Sequence, residues 1–241
     1  MLNSLLTGLR DLIYPNYCLA CENKLDSSLK EHFICTACQK AIEPNLPPFC
    51  PSCGRTLDTA SQGKNTCSGC LNTKFSFDRA FSPCKYSGII KKMIQEFKYS
   101  GRDYLGKNLG QILNNFIKEY DLPITHTDYI IPIPLHNARF RQREFNQAQI
   151  LSAQVAKEFN KQLLLKVLTR TKATKSQTEL SFEERRNNVQ GSFSVTAPQL
   201  IKDKNLLLID DVLTTGSTLD EAARTLKAAG AKMILAMTLA N

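Results

Sequence analysis

Between Leu206 and Leu219 the chain changes character three times. Four apolar residues, Leu206-Leu-Leu-Ile209, run directly into two acids, Asp210 and Asp211. A short turn rich in hydroxyls follows, with one glycine, and a helical pattern begins at Leu219. An apolar run of that length between polar flanks reads as a parallel strand covered on both faces. Acids at the carboxyl end of such a strand stand where open α/β sheets bind ligands. The turn then feeds a helix amino terminus, whose free N–H groups and dipole favour a phosphate. Thr214, Thr215, Ser217 and Thr218 add hydroxyl donors, and Gly216 lets the backbone come close. A strand that merely ends in two acids, with Ser217 as a helix cap, is the plainer reading. It leaves the agreement of acid pair, loop composition and context unexplained.

The rest of the second part of the chain alternates in the same way. Residues 89–99 and 105–118 show helical periodicity, and 128–134 is a short apolar strand. Residues 145–159 place Ala148, Leu151, Val155, Ala156 and Phe159 on one helical face. Apolar strands are expected at 163–168, 190–195, 205–209 and 233–239, with a helix over 219–229 closed by Gly230. Phe77, Ala80, Phe81 and Tyr86 suggest a further strand, which makes Cys84 a buried, inert thiol. The alternation predicts an α/β fold with a mainly parallel sheet flanked by helices.

Two basic segments accompany this sheet. Arg139, Arg141 and Arg143 occupy alternate positions after the 128–134 strand. In an extended loop they point to one side, toward the crevice that holds Asp210 and Asp211, where guanidinium forks suit pyrophosphate or a nucleic-acid backbone. Residues 169–188 are polar and basic, include Lys172 and Lys175, and read as a lid between strands.

The first part of the chain is organised by cysteine. Eight of its nine cysteines form four Cys-x-x-Cys pairs: Cys18/Cys21, Cys35/Cys38, Cys50/Cys53 and Cys67/Cys70. The second four repeat the first four at a constant offset of 32 residues, and Leu25 repeats at Leu57. A matched offset of this kind marks a duplicated unit. Paired knuckles separated by 13 residues suit a four-thiolate zinc site, so two structural Zn²⁺ ions are expected. Sequential pairing (18–38 and 50–70) is the simplest arrangement; spacing also allows the outer and inner pairs to be exchanged. Disulfides would suit an oxidising compartment, and the chain reads as cytoplasmic. It shows no signal-peptide pattern at its start and no apolar run long enough for a membrane span. Leu2, Leu5, Leu6, Leu9, Leu12 and Ile13 share one helical face that Pro15 ends, a stripe suited to packing on the rest of the protein.

Charge divides between the parts. Residues 1–84 hold 8 Lys+Arg against 7 Asp+Glu, and residues 85–241 hold 23 against 15. Eight thiolates with two zinc ions would bring the formal +9 to +5. The excess basicity lies with the hydroxyl-rich turn and suits phosphates, whether of nucleotides or nucleic acid.

The Asp210–Thr218 segment resembles the phosphoribosyl-pyrophosphate (PRPP) signature of type I phosphoribosyltransferases. With the four cysteine pairs, it makes nearly the whole chain resemble the ComF family of bacterial competence proteins. Further matching features are Phe97-Lys98-Tyr99-x-Gly101-Arg102, Pro132-x-Pro134-Leu135-His136, Arg141-Gln-Arg143-x-Phe145-Asn146-Gln147, Gln177-x-x-Leu180, and Arg186-Asn187-x-Val189-x-Gly191-x-Phe193. The resemblance implies a double zinc ribbon over residues 1–75 and a type I phosphoribosyltransferase-like domain over 76–241. It implies that Asp210 and Asp211 take the ribose hydroxyls of Mg²⁺-bound PRPP, while residues 214–218 wrap its 5′-phosphate. It also implies handling of incoming single-stranded DNA, with other competence or recombination proteins as partners. Phe140, Phe145 and Tyr99 are candidates for base stacking, Phe145 being better suited to the core. The alternative is an active transferase of unassigned acceptor. The chain departs from the family at Glu144, where members usually carry glycine.

Overall fold

The computed structural model describes residues 17–25, 33–57, 66–71, 73–99, 101–172 and 188–241. The expected helix over Leu2–Ile13, Lys175 and most of the 169–188 lid lie outside the described residues. In chain order the described elements include α1 (Thr36–Lys40), β1 (Arg79–Phe81), α2 (Gly88–Tyr99), α3 (Leu105–Glu119), β2 (Tyr129–Pro132), α4 (Asn137–Arg143) and α5 (Gln147–Glu158). They continue with β3 (Gln162–Leu163), β4 (Leu168–Arg170), β5 (Phe193–Val195), β6 (Asn205–Ile209), α6 (Ser217–Ala228) and β7 (Met233–Met237). Five strands form one sheet in the order β1-β7-β6-β2-β3, with every pairing parallel.

The apolar run sits at the centre of this sheet. β6 pairs with β2 on one side and β7 on the other, and Leu206–Ile209 expose no surface. Because strand side chains alternate, the run divides between two cores. Leu207 and Ile209 join Ile130, Leu235 and Met237 in a cluster with α2, α3 and α5. Leu206 and Leu208 join Ile131, Ile133 and Ala236 in a cluster with α6. Each such buried side chain contributes about 1.5–3 kcal/mol. The cysteine units are divided too. Cys18, Leu25 and Cys38 belong to the first cluster, and Cys50, Cys53, Leu57, Cys67 and Cys70 to the second.

Helix sequences explain how the first layer closes. α2 buries Ile90, Met93, Ile94 and Phe97, and α3 buries Leu105, Leu109, Leu113, Phe116 and Ile117, both at helical spacing. Gly106 and Gly110 let α3 touch α5: a Cβ at Gly106 would stand 2.2 Å from Ile150 Cγ2, and one at Gly110 2.5 Å from Gln154 Cβ. Asn146 caps α5 by accepting from the Ala148 N–H at 3.0 Å. Gly230, at φ +98°, ends α6 as expected.

Two expectations need correction. The 163–168 and 190–195 segments do not both extend the parallel sheet. Only Gln162–Leu163 does so, at its edge, while β4 and β5 pair antiparallel as a separate ribbon. Short apolar runs do not encode their partners, which explains the error. The arginine segment is also not extended. Residues 137–143 form a helix, with the His136 Nδ1 accepting from the Ala138 N–H at 3.2 Å as its cap. Arg139 and Arg143 therefore share a face, and Arg141 turns away to solvent.

That helix ends at Glu144, whose φ of +66° is left-handed. Glycine adopts such a backbone without strain, whereas a residue with a Cβ does so at a cost. Glu144→Gly is expected to raise stability by about 1 kcal/mol, read as a higher urea midpoint at unchanged slope. A midpoint equal to or below that of the parent protein would show that α4 needs no relief at its end.

Candidate functional site

The eight paired cysteines gather as two sets, Cys18/Cys21/Cys35/Cys38 and Cys50/Cys53/Cys67/Cys70, each with its sulfurs within 4.8 Å of one another. The grouping follows the sequential order. Cys21 and Cys35 sulfurs stand 3.7 Å apart and those of Cys53 and Cys67 3.5 Å. A tetrahedral ion with zinc–sulfur bonds of about 2.3 Å separates its ligands by roughly 3.8 Å, so both sets fit structural zinc. The duplication extends to the turns. Gly54 follows Cys53 at φ +75°, and Glu22 follows Cys21 at φ +63°. Leu25 and Leu57 are both buried.

Thiol acidity shows what such packing demands. Burial would raise Cys18, yet N–H groups of Cys21 and Cys35 bring it down to about 6. Burial and the neighbouring sulfurs push Cys38 well up, and Cys50 pushes Cys53 to about 12. Four close thiols cannot all ionise without a cation among them, and zinc supplies that charge. Cys84 stands apart, 3% exposed, with burial alone raising it to about 12, as expected of an inert core thiol.

At the carboxyl end of β6 the structure opens a cleft of about 690 Å³. Asp210, Asp211, Thr214 and Thr218 form one wall, and Lys98, Arg139, Arg143 and Arg170 reach it from other elements. The hydroxyl-rich turn curls at one end of the acid wall. Thr215 and Ser217 hydroxyls bond at 2.8 Å, and Gly216 takes φ +79° immediately before α6. The amino terminus of α6, the end of a helix that favours an anion, faces this turn.

The opposite wall is cationic and braced. Lys98 Nζ lies 2.8 Å from Asp211 Oδ1, with both side chains largely buried. Burial would lower Lys98, but the Asp211 carboxylate outweighs it and holds the ammonium above its usual range. Arg143 donates to Gln147 Oε1 at 3.2 Å and to Tyr99 Oη at 3.3 Å, with its guanidinium 5.0 Å from the Tyr99 ring centre. Gln147 donates in turn to the Phe97 carbonyl at 3.2 Å, tying α5 to the end of α2.

Ionisation in the cleft follows from this crowding. Burial and the Asp211 charge raise Asp210 to about 7. Burial also lowers Arg170 to about 10, helped by Arg139, and lowers Arg139, helped by Arg143. A carboxyl pushed up and guanidiniums pushed down describe a site with crowded charge of both signs.

Of the residues singled out from sequence, Asp210, Asp211, Thr214, Thr218, Arg139 and Arg143 line this cleft. Thr215, Gly216 and Ser217 lie in the adjoining turn. Arg141 is exposed and Lys172 lies against Gly191, neither of them lining it. Tyr99 is 60% exposed at the mouth of the cleft. Phe140 is exposed outside it, and Phe145 packs against Phe97. Sequence reasoning did not bring Lys98, Arg170 or Tyr86 to the cleft: Lys98 stood only in the family-like run 97–102, Arg170 only in the expected lid and Tyr86 only in an expected strand.

Known proteins place the chain in a wider context. Residues 9–71 match the pattern described as a double zinc ribbon domain, and residues 146–241 that of a phosphoribosyl transferase domain. Competence protein F of Haemophilus influenzae is 31% identical over 229 residues, covering 93% of this chain and 96% of that protein. The DNA utilization protein YhgH of Escherichia coli K12 is 28% identical over 92% of this chain and 96% of its own length. The competence protein ComFC of Bacillus subtilis is 25% identical over 89% and 90%. With a double zinc ribbon followed by a phosphoribosyltransferase-like sheet along nearly its full length, the chain belongs to the competence protein F (ComF) family.

Proposed function

We propose that the cleft binds PRPP and that the protein handles incoming single-stranded DNA in the cytoplasm during natural transformation. The observation that carries the reading is the juxtaposition in one cleft of an acid pair, a phosphate-type helix start and a wall of Lys98, Arg139, Arg143 and Arg170. Carboxylates accept from ribose hydroxyls, N–H groups hold the 5′-phosphate, and guanidiniums pair with pyrophosphate. Magnesium arrives with the ligand, whose phosphate oxygens and waters fill most of its shell. Asp210 is the carboxylate this chain offers it, since Asp211 is ion-paired with Lys98. We place the ribbon module over residues 1–75 and the ligand-binding domain over 76–241.

A DNA strand has no 2′-hydroxyls and its internal 3′-oxygens are esterified, so it offers the acid pair nothing to accept from and is better served by the outer wall. There Tyr99 offers a ring and Arg139 and Arg143 offer phosphate contacts. These arginines face both ligands, so PRPP and DNA compete. The names of the relatives, competence and DNA utilization, support the DNA role. A second reading, transfer to an acceptor, is favoured by the room beyond the acids bounded by Tyr86 and Tyr99. Pyrophosphate release from PRPP across a panel of acceptors tests it.

Calorimetry with Mg²⁺ and PRPP is expected to show one site on the zinc-loaded protein, lost in the Asp210→Asn, Asp211→Asn double variant. No heat with the parent protein removes the reading. Asp210 also gives a pH dependence whose sign is fixed. Its folded value of about 7 lies above its ordinary 3.8, so the unfolded chain releases the proton first as pH rises. Stability contributed by the protonated form is complete below about pH 4 and is lost toward pH 7. Asp210→Asn is therefore expected to unfold at higher denaturant than the parent at about pH 8, with the gap closing near pH 4; equal midpoints at both would contradict the buried carboxyl. For DNA, the Arg139→Ala, Arg143→Ala double variant is expected to flatten the plot of log affinity against log salt by about 1.4. Arg141→Ala should leave that slope nearly unchanged, and an equal effect of both would place the strand elsewhere.

A further inference from the structure

We propose that the second cysteine cluster is a functional part of the phosphate turn, acting through Arg55 and Phe75 as positioning residues. The inference rests on the reading of the cleft as a PRPP site. A turn that offers its N–H groups inward to a phosphate must aim carbonyls outward, where each needs a donor. Arg55 provides one: its Nη2 donates to the Thr214 carbonyl at 3.3 Å, across 159 residues of sequence. The location of Arg55 is set by the metal knuckle, because its own carbonyl accepts from the Cys50 N–H at 2.7 Å. The guanidinium also lies along the second knuckle, with Nη1 3.7 Å from where a Cβ on Gly69 would stand.

The second prop is aromatic. A Cβ at Gly216 would meet Phe75 Cε1 at 2.6 Å, so the ring presses on the residue whose positive φ starts α6. Phe75 is held by stacking on buried Phe77, with ring centres 4.6 Å apart and planes within 14°. Between these rings the Ser76 N–H donates to Asp220 Oδ1 at 2.6 Å, fixing the segment to the first turn of α6. Two independent contacts, one polar and one apolar, thus run from the segments around the cluster to the turn. Zinc loss frees the knuckle, moves Arg55 and loosens the turn, so metal status and phosphate affinity are coupled.

The experiment compares Arg55→Ala, Arg55→Lys and Phe75→Leu in the full-length, zinc-loaded protein. It uses Mg²⁺·PRPP calorimetry, zinc content, and amide hydrogen exchange over residues 214–218. Arg55→Ala is expected to weaken PRPP about tenfold while both zinc ions remain bound, with faster exchange in the turn. Arg55→Lys should recover part of the affinity, which a general packing role would not produce. Unchanged affinity and unchanged exchange in Arg55→Ala and Phe75→Leu would overturn the coupling. If the parent protein binds no PRPP, the ligand reading falls, and the exchange rates alone decide whether these residues shape the turn.

Discussion

Burial of Leu206–Ile209 in β6 is the constraint from which the site follows. The buried run leads directly into two carboxylates, so the acids stand at the carboxyl end of the sheet's central strand. The pairing of β6 with β2 and β7 fixes their direction, and α6 begins within reach of them. Four buried side chains, at about 1.5–3 kcal/mol each, anchor the strand end that carries this crowded charge. The site is thus destabilised locally on a scaffold that is firm beneath it, a common arrangement where a ligand completes the charge balance.

Charge of both signs is crowded into the cleft. Lys98 neutralises Asp211 at close range, while Asp210 is held up by its neighbour and by burial. Arg139, Arg143 and Arg170 repel one another across the opposite side. A cluster of like charge favours an anion among its members, the preference on which the proposed PRPP reading draws. The braces on Arg143 from Tyr99 and Gln147 keep that preference directional.

The duplicated cysteine units have been put to different uses. They share the left-handed residue after the inner cysteine and the buried leucine beyond it, though an α-helix follows Cys35 and a 3-10 turn follows Cys67. Their surroundings differ. The first joins the core beneath α2 and α3, and the second joins the core beneath α6. Gly54 comes within a forbidden distance of the Ala80 carbonyl for any Cβ, 2.7 Å, whereas Glu22 keeps its side chain in the open. Among the described residues the second copy is the one drawn against the sheet edge, and it reaches the hydroxyl-rich turn.

Much of this was legible in sequence because it is encoded locally. The apolar run before Asp210, the hydroxyls around Gly216, the matched cysteine spacing and the glycine after α6 each depend on neighbours a few residues away. The strand–helix alternation gave the sheet class for the same reason. The cationic wall was less visible. Arg141 looked equivalent to Arg139 and Arg143 until a helical turn separated it from them, and Lys172 had no way to show that it lies against Gly191. Lys98 and Arg170 acquire meaning only when α2 and the β4–β5 ribbon are folded over the end of β6. The sequence by itself determined which segments form and which chemistry each carries, since backbone periodicity and ligand spacing are short-range. Tertiary structure alone decided which cations meet the acids and which zinc knuckle touches the turn, because those contacts join residues that are distant along the chain.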